Sequence, residues 1–191
     1  FACLACCLTF LTARATHITG AELTYTCINP ATNTYQVDMT VYRDCLNGQA
    51  GFDAQVTVYI FRGSDGSVYN TRTINFNNNS VQLIPIFWNA CTGAPQNQCV
   101  EYGVYSFTIT LPPTVGGYDI GWARCCRNNI VTNIGIEQGI TVLAHVPGSD
   151  EATGCNSMPQ FNQRPPIFLC VGQQFNFDHS ATDADGDSLV Y

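Results

Sequence analysis

Apolar and polar residues alternate along several stretches of this chain, and no other feature constrains its fold as strongly. The alternation is clearest over residues 35–42, 56–60 and 105–111. Successive side chains of a strand point to opposite faces, so each stretch predicts a β-strand with one buried face. No stretch shows the spacing of a helix.

Five further stretches carry strand-forming residues between turn-forming clusters such as Asn29-Pro30 and Pro112-Pro113. They cover residues 21–28, 67–76, 81–88, 118–125 and 139–146. About eight strands without helices predict an all-β fold, an antiparallel two-sheet β-sandwich of the immunoglobulin-like type.

The chain divides into three parts. An apolar run over residues 1–11, followed by Ala13-Arg14-Ala15, is typical of a signal peptide with its cleavage site, although a buried N-terminal helix or strand is the alternative. We interpret residues 1–15 as a truncated signal peptide and 16–150 as the sandwich. Residues 151–191 are then the incomplete start of a second immunoglobulin-like module. Its first strands are expected at 167–171, 173–177 and 188–191, and the protein is expected to be secreted and extracellular.

Removal of residues 1–15 leaves an even number of cysteines, which predicts disulfides in an exported chain. They are Cys27, Cys45, Cys91, Cys99, Cys125, Cys126, Cys155 and Cys170. Short spacing favours a bridge from Cys91 to Cys99 and another from Cys155 to Cys170. Cys27 and Cys45 would then pair with the adjacent Cys125 and Cys126, and most of the connectivity stays open.

The charge of the chain argues against nucleic acid as a partner, and its apolar pattern argues against insertion into a membrane. There is no lysine, and seven arginines face fourteen acidic residues, for a formal net charge of −7. Nucleic acid is therefore not expected, since a phosphate backbone needs clustered cations. After residue 15 no apolar run approaches roughly 18 residues, so no membrane insertion is expected within this sequence.

Three carboxylates alternate near the C-terminus at Asp183, Asp185 and Asp187, with Asp178 shortly before them. Neighbouring carboxylates repel unless a hard cation lies between them, and oxygen ligands of this kind suit calcium. We predict a calcium site at these residues, which would rigidify a loop. The alternative is a solvated turn that needs no metal.

The sequence offers no catalytic residues, and we expect no enzyme. Only His17, His145 and His179 could act as bases, and neither a Gly-x-Ser-x-Gly nor a His-Glu-x-x-His motif is present. Aromatic residues are plentiful, and those that do not fill the core could stack on sugars. The candidates are Tyr25, Tyr42, Tyr59, Tyr102, Trp88 and Trp122.

The run Arg124-Cys-Cys-Arg-Asn-Asn129 has two interpretations. Its Arg and Asn side chains suit carboxylate or sugar ligands. The interpretation we favour is structural: two half-cystines at a strand end, with Arg and Asn hydrogen-bonding to nearby backbone carbonyls.

Several segments resemble one protein family. They are residues 15–25, Val41-Tyr-Arg-Asp-Cys45, residues 111–113 with Gly117-Tyr118, Arg124-Cys-Cys-Arg-Asn-Asn129 and residues 177–191. Together they resemble the N-terminal region of very large bacterial surface proteins with immunoglobulin-like, PKD-type or cadherin-like repeats. Such proteins often end in a gliding-motility-associated or type IX secretion sorting domain. The resemblance implies export, multi-domain architecture and a role at the cell surface.

The sequence thus predicts a non-enzymatic extracellular structural or adhesion module of a large secreted surface protein, stabilised by disulfides and rigidified by calcium. Its partners would be glycans or proteins of the cell surface or extracellular matrix. The alternative is a carbohydrate-binding module that targets a secreted enzyme encoded downstream.

Overall fold

The computed structural model describes residues 17–48, 50–85, 98–125, 127–128, 138–166 and 169–190. These residues form strands and one short 3-10 turn at Asn78–Ser80, and none of them is in an α-helix. The strands are β1 (Ile18–Asn29), β2 (Thr34–Asp44), β3 (Gln55–Arg62), β4 (Val68–Asn75), β5 (Gln82–Leu83), β6 (Val100–Thr110), β7 (Tyr118–Arg124), β8 (Ile140–Val146), β9 (Gln160–Phe161) and β10 (Ala181–Thr182).

The first eight strands form two antiparallel four-stranded sheets. Sheet I has the order β1-β2-β6-β5, and sheet II has the order β4-β3-β7-β8. If the strands are lettered A, B, C, C′, D, E, F and G along the chain, the sheets are ABED and GFCC′. This is the strand arrangement of immunoglobulin domains, so the predicted all-β, immunoglobulin-like sandwich is confirmed.

The inward faces of the two sheets form one apolar core. In sheet I, Tyr35, Val37, Met39 and Val41 are buried at every second position of β2, as their alternation predicts. Sheet II contributes a matching row that includes Val56, Val58 and Ile60 of β3, also as predicted. Each fully buried side chain of this size contributes about 1.5–3 kcal/mol, so this contact is the main source of stability.

Buried tyrosines fix the sheets to each other and to their connections. The Tyr25 hydroxyl of β1 donates to the His145 carbonyl of β8 at 2.8 Å, across the two sheets, and burial raises the pKa of Tyr25 to about 12. The Tyr118 hydroxyl, at the start of β7, donates to the Pro112 carbonyl six residues upstream at 2.9 Å. Immunoglobulin-type sandwiches use a tyrosine in this position in the same way.

The segment after β8 covers the free edge of sheet I. Cys155 is disulfide-bonded to Cys27 of β1, the Cys27 amide donates to Ser157 Oγ at 3.1 Å, and the Met158 amide donates to the Tyr25 carbonyl at 3.0 Å. An uncovered edge strand is a template for aggregation, so this contact protects β1.

The expected strands of a second module are not found. Residues 169–171, 173–177 and 188–190 are not in strands, and only the two-residue strands β9 and β10 pair in this part of the chain. Residues 167, 168 and 191 lie outside the described residues. The prediction was wrong because a strand needs a partner for its backbone groups, and none is present for these residues in the described chain. The expected strand at 81–88 is limited to Gln82–Leu83 among the described positions.

The disulfide pairing also differs from the prediction. Cys27 pairs with Cys155 and Cys45 pairs with Cys99, so the proposed Cys91–Cys99 and Cys155–Cys170 bridges were wrong. Pairing of Cys27 and Cys45 with Cys125 and Cys126 is overturned by the same bonds. Spacing in the sequence predicted the wrong bridges because it is the pairing of antiparallel strands that brings these cysteines together. The end of β2, next to Cys45, lies beside the start of β6, next to Cys99.

Two other cysteines, Cys125 and Cys170, are disulfide-bonded as well. Cys91 and Cys126 lie outside the described residues.

We predict that peptic digestion of the unreduced protein releases linked peptides for Cys27–Cys155 and Cys45–Cys99. Pepsin is the right protease because it works at low pH, where little thiolate forms and disulfides do not exchange. Replacing both Cys45 and Cys99 by Ala should lower the free energy of unfolding by about 2–4 kcal/mol in denaturant titrations. Peptides that link Cys91 to Cys99, or Cys155 to Cys170, would contradict the pairing.

Candidate functional site

The two ends of the sandwich have connections of very different length. At one end the connections are short, with residues 30–33, 63–67 and 111–117 joining the strands. At the other, which we call the long-loop end, the strands are separated by residues 45–54, 84–99 and 125–139, of which 49, 86–97, 126 and 129–137 lie outside the described residues. These intervals exceed the usual connection of about 4–6 residues, and long connections often carry function. In immunoglobulin variable domains two of the corresponding connections, B–C and F–G, bind antigen.

A disulfide braces the long-loop end. Cys45 is the first residue after β2 and Cys99 the last before β6, and their Cα atoms are 5.2 Å apart. The Cys45 amide also donates to the Cys99 carbonyl at 3.1 Å. Two of the three long connections are thus tied together where they leave sheet I, which reduces the conformational entropy that binding would otherwise cost.

A buried carboxylate organises the same end. Asp44 is 5% exposed; its Oδ1 accepts from the Leu46 and Asn47 amides, both at 2.9 Å, and its Oδ2 accepts from Asn128 Nδ2 at 3.0 Å. Burial alone would raise the pKa of Asp44, but the donors on Asn47, Leu46 and Asn128 outweigh it and hold the pKa below its ordinary value. Asp44 therefore links the 45–54 connection to the 125–139 connection.

Two ion pairs cross the long-loop end. Arg43 Nε contacts Glu101 Oε1 at 2.6 Å, and Arg124 Nη2 contacts Asp53 Oδ1 at 2.9 Å. Arg43 also donates to the Ala50 carbonyl. Both pairs are partly exposed, so they orient the loops more than they stabilise the fold.

Every buried side-chain nitrogen or oxygen that lacks a hydrogen-bond partner in the described chain lies at this end. These atoms are both ring nitrogens of His17 and the Nε atoms of Arg124 and Arg127. His17, immediately before β1, is only 1% exposed. Leaving such a donor or acceptor unpaired costs about 1–3 kcal/mol, so this end contains polar groups that the fold does not use.

The Arg124-to-Asn129 run lies at the long-loop end, with Arg124 the last residue of β7. Cys125 is a half-cystine, as the structural interpretation expects. Arg124 binds the Asp53 carboxylate and Asn128 binds the Asp44 carboxylate, partners that this interpretation did not include. Cys126 and Asn129 lie outside the described residues.

Two of the three proposed calcium ligands, Asp183 and Asp185, have protein partners for their carboxylates. Asp183 Oδ1 accepts from the Asp185 and Asp187 amides at 2.9 and 3.1 Å, and the Asp185 carboxylate accepts from the Ser157 amide. Asp178 accepts from the Ser180 amide at 3.0 Å. As arranged, the carboxylates do not converge, and no group of three potential ligands is found among the described residues. Calcium at Asp183, Asp185 and Asp187 stays a prediction.

The aromatic residues expected as sugar platforms separate into groups. Tyr25 and Trp122 are 4% exposed and belong to the core. Tyr42 and Tyr102 lie on the outer face of sheet I, where the Arg164 guanidinium covers them at 5.8 and 4.5 Å from the ring centroids. Tyr59, on the outer face of sheet II, is 44% exposed. Trp88 lies outside the described residues.

Comparison with known proteins identifies no relative: no family model, curated protein or solved structure matches the chain. In the described parts of the chain, no helix is long and apolar enough to span a membrane.

The calcium prediction is best tested at Asp187, whose carboxylate, unlike those of Asp183 and Asp185, accepts no hydrogen bond from the described residues. At millimolar calcium and the weak affinity typical of extracellular modules, we expect roughly 1 kcal/mol of stabilisation over protein in chelator. The variant Asp187→Asn should lose most of that gain in thermal melts without a change in the chelated state. Identical melting temperatures with and without calcium would contradict the predicted calcium site.

A second prediction concerns His17. Burial lowers the pKa of His17 below its ordinary 6.5, so the unfolded chain binds this proton more readily than the folded protein. The stability associated with neutral His17 is complete above pH 6.5 and is lost as the pH falls from 6.5 through the lowered pKa. The variant His17→Met should therefore lose less stability than wild type between about pH 7.5 and 5 in denaturant titrations.

The titration of His145 changes the stability of the folded protein in the opposite direction. Its hydrogen bond with Glu151, aided by Asp119, raises its pKa, so its contribution is present below pH 6.5 and is lost as pH rises through the raised value. This contribution is common to wild type and His17→Met and cancels in their difference. Parallel stability curves for the two proteins would contradict the role of His17.

Proposed function

We propose that this chain is a non-enzymatic extracellular module that binds a partner through its long-loop end, as part of a large secreted cell-surface protein with an adhesive or structural role. The observation that carries the proposal is the gathering of three long connections at one end of a disulfide-stabilised sandwich, against short connections at the other.

The organisation of the long-loop end supports binding. The Cys45–Cys99 bridge and Asp44 hold the roots of the connections, so the loops are presented on a rigid base. Pre-organised loops on a rigid scaffold lose less entropy on binding, which is the general design of protein-recognition modules.

An extracellular location is supported by the disulfides, which persist in oxidising compartments. The resemblance of Arg124-Cys-Cys-Arg-Asn-Asn129 and residues 177–191 to bacterial surface proteins supports membership of a larger gliding-motility or type IX secretion type of protein. In such a protein the segment after β8, bound to β1 through Cys155, would lead into the next module.

We predict that a charge placed at the long-loop end abolishes adhesion. Leu46, in the 45–54 connection, is 51% exposed, and Val115, in the short 111–117 connection, is 63% exposed. Beads coated with the protein should be retained on cells or isolated extracellular matrix under flow. The variant Leu46→Asp should reduce retention by roughly tenfold, because a charge at the centre of an interface disrupts desolvated contacts.

The matched control is Val115→Asp, which puts the same charge on an apolar residue of similar exposure at the opposite end. It should leave retention unchanged. Equal effects of the two variants would contradict the assignment of the long-loop end, and turnover of a substrate by the purified chain would contradict the non-enzymatic role.

A further inference from the structure

The outer face of sheet II presents a flat apolar surface that the core does not use. Tyr59, Gly121 and Leu143 lie side by side in one row across β3, β7 and β8. Tyr59 is 44% and Leu143 59% exposed. Phe61, two residues after Tyr59, points to the same face. We call Tyr59, Phe61, Gly121 and Leu143 the sheet II platform.

Gly121 determines how the platform is shaped. A Cβ at this position would lie 3.1 Å from Leu143 Cδ1 and 3.6 Å from Phe61 Cε2, so the Phe61 ring leans across β7 above the glycine. The planes of Tyr59 and Phe61 are 20° apart and their centroids 6.1 Å apart. The two rings therefore lie nearly parallel to each other.

The next row of the same face combines Phe61 with two polar residues. Phe61 is paired with Asp119, and Asp119 with His145. Asp119 Oδ1 and His145 Nδ1 are 2.8 Å apart, and His145 Nε2 is 2.8 Å from Glu151 Oε2, so these groups are held in place. Thr141 of β8 lies on the same face and is exposed. The apolar rings thus have fixed hydrogen-bonding groups at their margin.

This combination matches the chemistry of a sugar ring. A pyranose has an apolar face of C–H groups and a rim of hydroxyls, so it binds where an aromatic face meets polar side chains that both donate and accept. A surface that spans three strands, from Tyr59 to Leu143, favours a chain of sugar units over a single one.

Charge decides among the occupants. The two rows of residues described above contain the carboxylate of Asp119, with that of Glu151 nearby, and they contain no arginine. The protein as a whole has a formal net charge of −7. An anionic polymer, or a second copy of this chain, would be repelled. We propose that the sheet II platform binds an uncharged polysaccharide by stacking pyranose rings on Tyr59 and Phe61. This site is separate from the long-loop end and does not depend on the proposed function.

The test is affinity electrophoresis of the full chain in native gels that contain soluble β-glucan, arabinoxylan or galactomannan, with polygalacturonate as the anionic comparison. We expect at least one uncharged polymer to retard the protein. The variant Tyr59→Ala should weaken binding by about tenfold, whereas Tyr59→Phe, which keeps the ring, should stay within about twofold. Tyr102→Ala, on the outer face of sheet I, is the matched control and should bind like wild type.

Circular dichroism and thermal melting establish that each variant is folded, and Leu143→Asn serves as a second platform variant should Tyr59→Ala unfold. The proposal is overturned if no uncharged polymer retards the protein, if polygalacturonate binds more tightly, or if Tyr59→Ala binds like wild type. Dimerisation in sedimentation experiments that Tyr59→Ala abolishes would also overturn it, since the face would then pair two copies. The variant Leu46→Asp should retain polysaccharide binding, which separates this result from failure of the adhesion proposal.

Discussion

The contact between the inward faces of the two sheets is the interaction on which the rest of the molecule depends. Val37 and Met39 of sheet I and Val58 and Ile60 of sheet II are fully buried in it. Because a strand's side chains alternate, burying one face leaves the opposite face in solvent. The core therefore also determines which residues of each sheet are available for binding, Tyr59 among them.

The disulfides stabilise the periphery of this core rather than its centre. Neither β2 nor β7 contains a cysteine, although these are the strands that the inter-sheet disulfide of antibody domains joins. Of the bridges that join two described cysteines, Cys45–Cys99 ties the roots of two long connections, and Cys27–Cys155 holds the segment after β8 on the edge of sheet I. Packing of the core stabilises the sandwich, and these two bridges hold the long connections and the segment after β8 in place against it.

The alternation of residues predicted most of the strands because it reflects a local property, the period of an extended chain. It failed after residue 166 for the same reason. Phe175, Phe177 and His179 alternate as a strand would, and Phe175 stacks on Phe177 while His179 meets Phe177 edge-on, yet none of the three is in a strand. Local pattern carries no information about whether a partner strand exists. The platform was only partly predictable: Tyr59 was recognised as a candidate, whereas the contribution of Gly121 depends on neighbours from β3 and β8.

The sequence by itself determined the all-β class, the two faces of β2 and β3, and the commitment of Cys27, Cys45, Cys99, Cys125, Cys155 and Cys170 to disulfides. Tertiary structure alone decided which cysteines pair, that Asp44 binds Asn128, and that the long connections share one end. Periodicity and composition are encoded within a few residues, whereas these contacts join positions far apart in sequence, and only the order of strands in the two sheets brings them together.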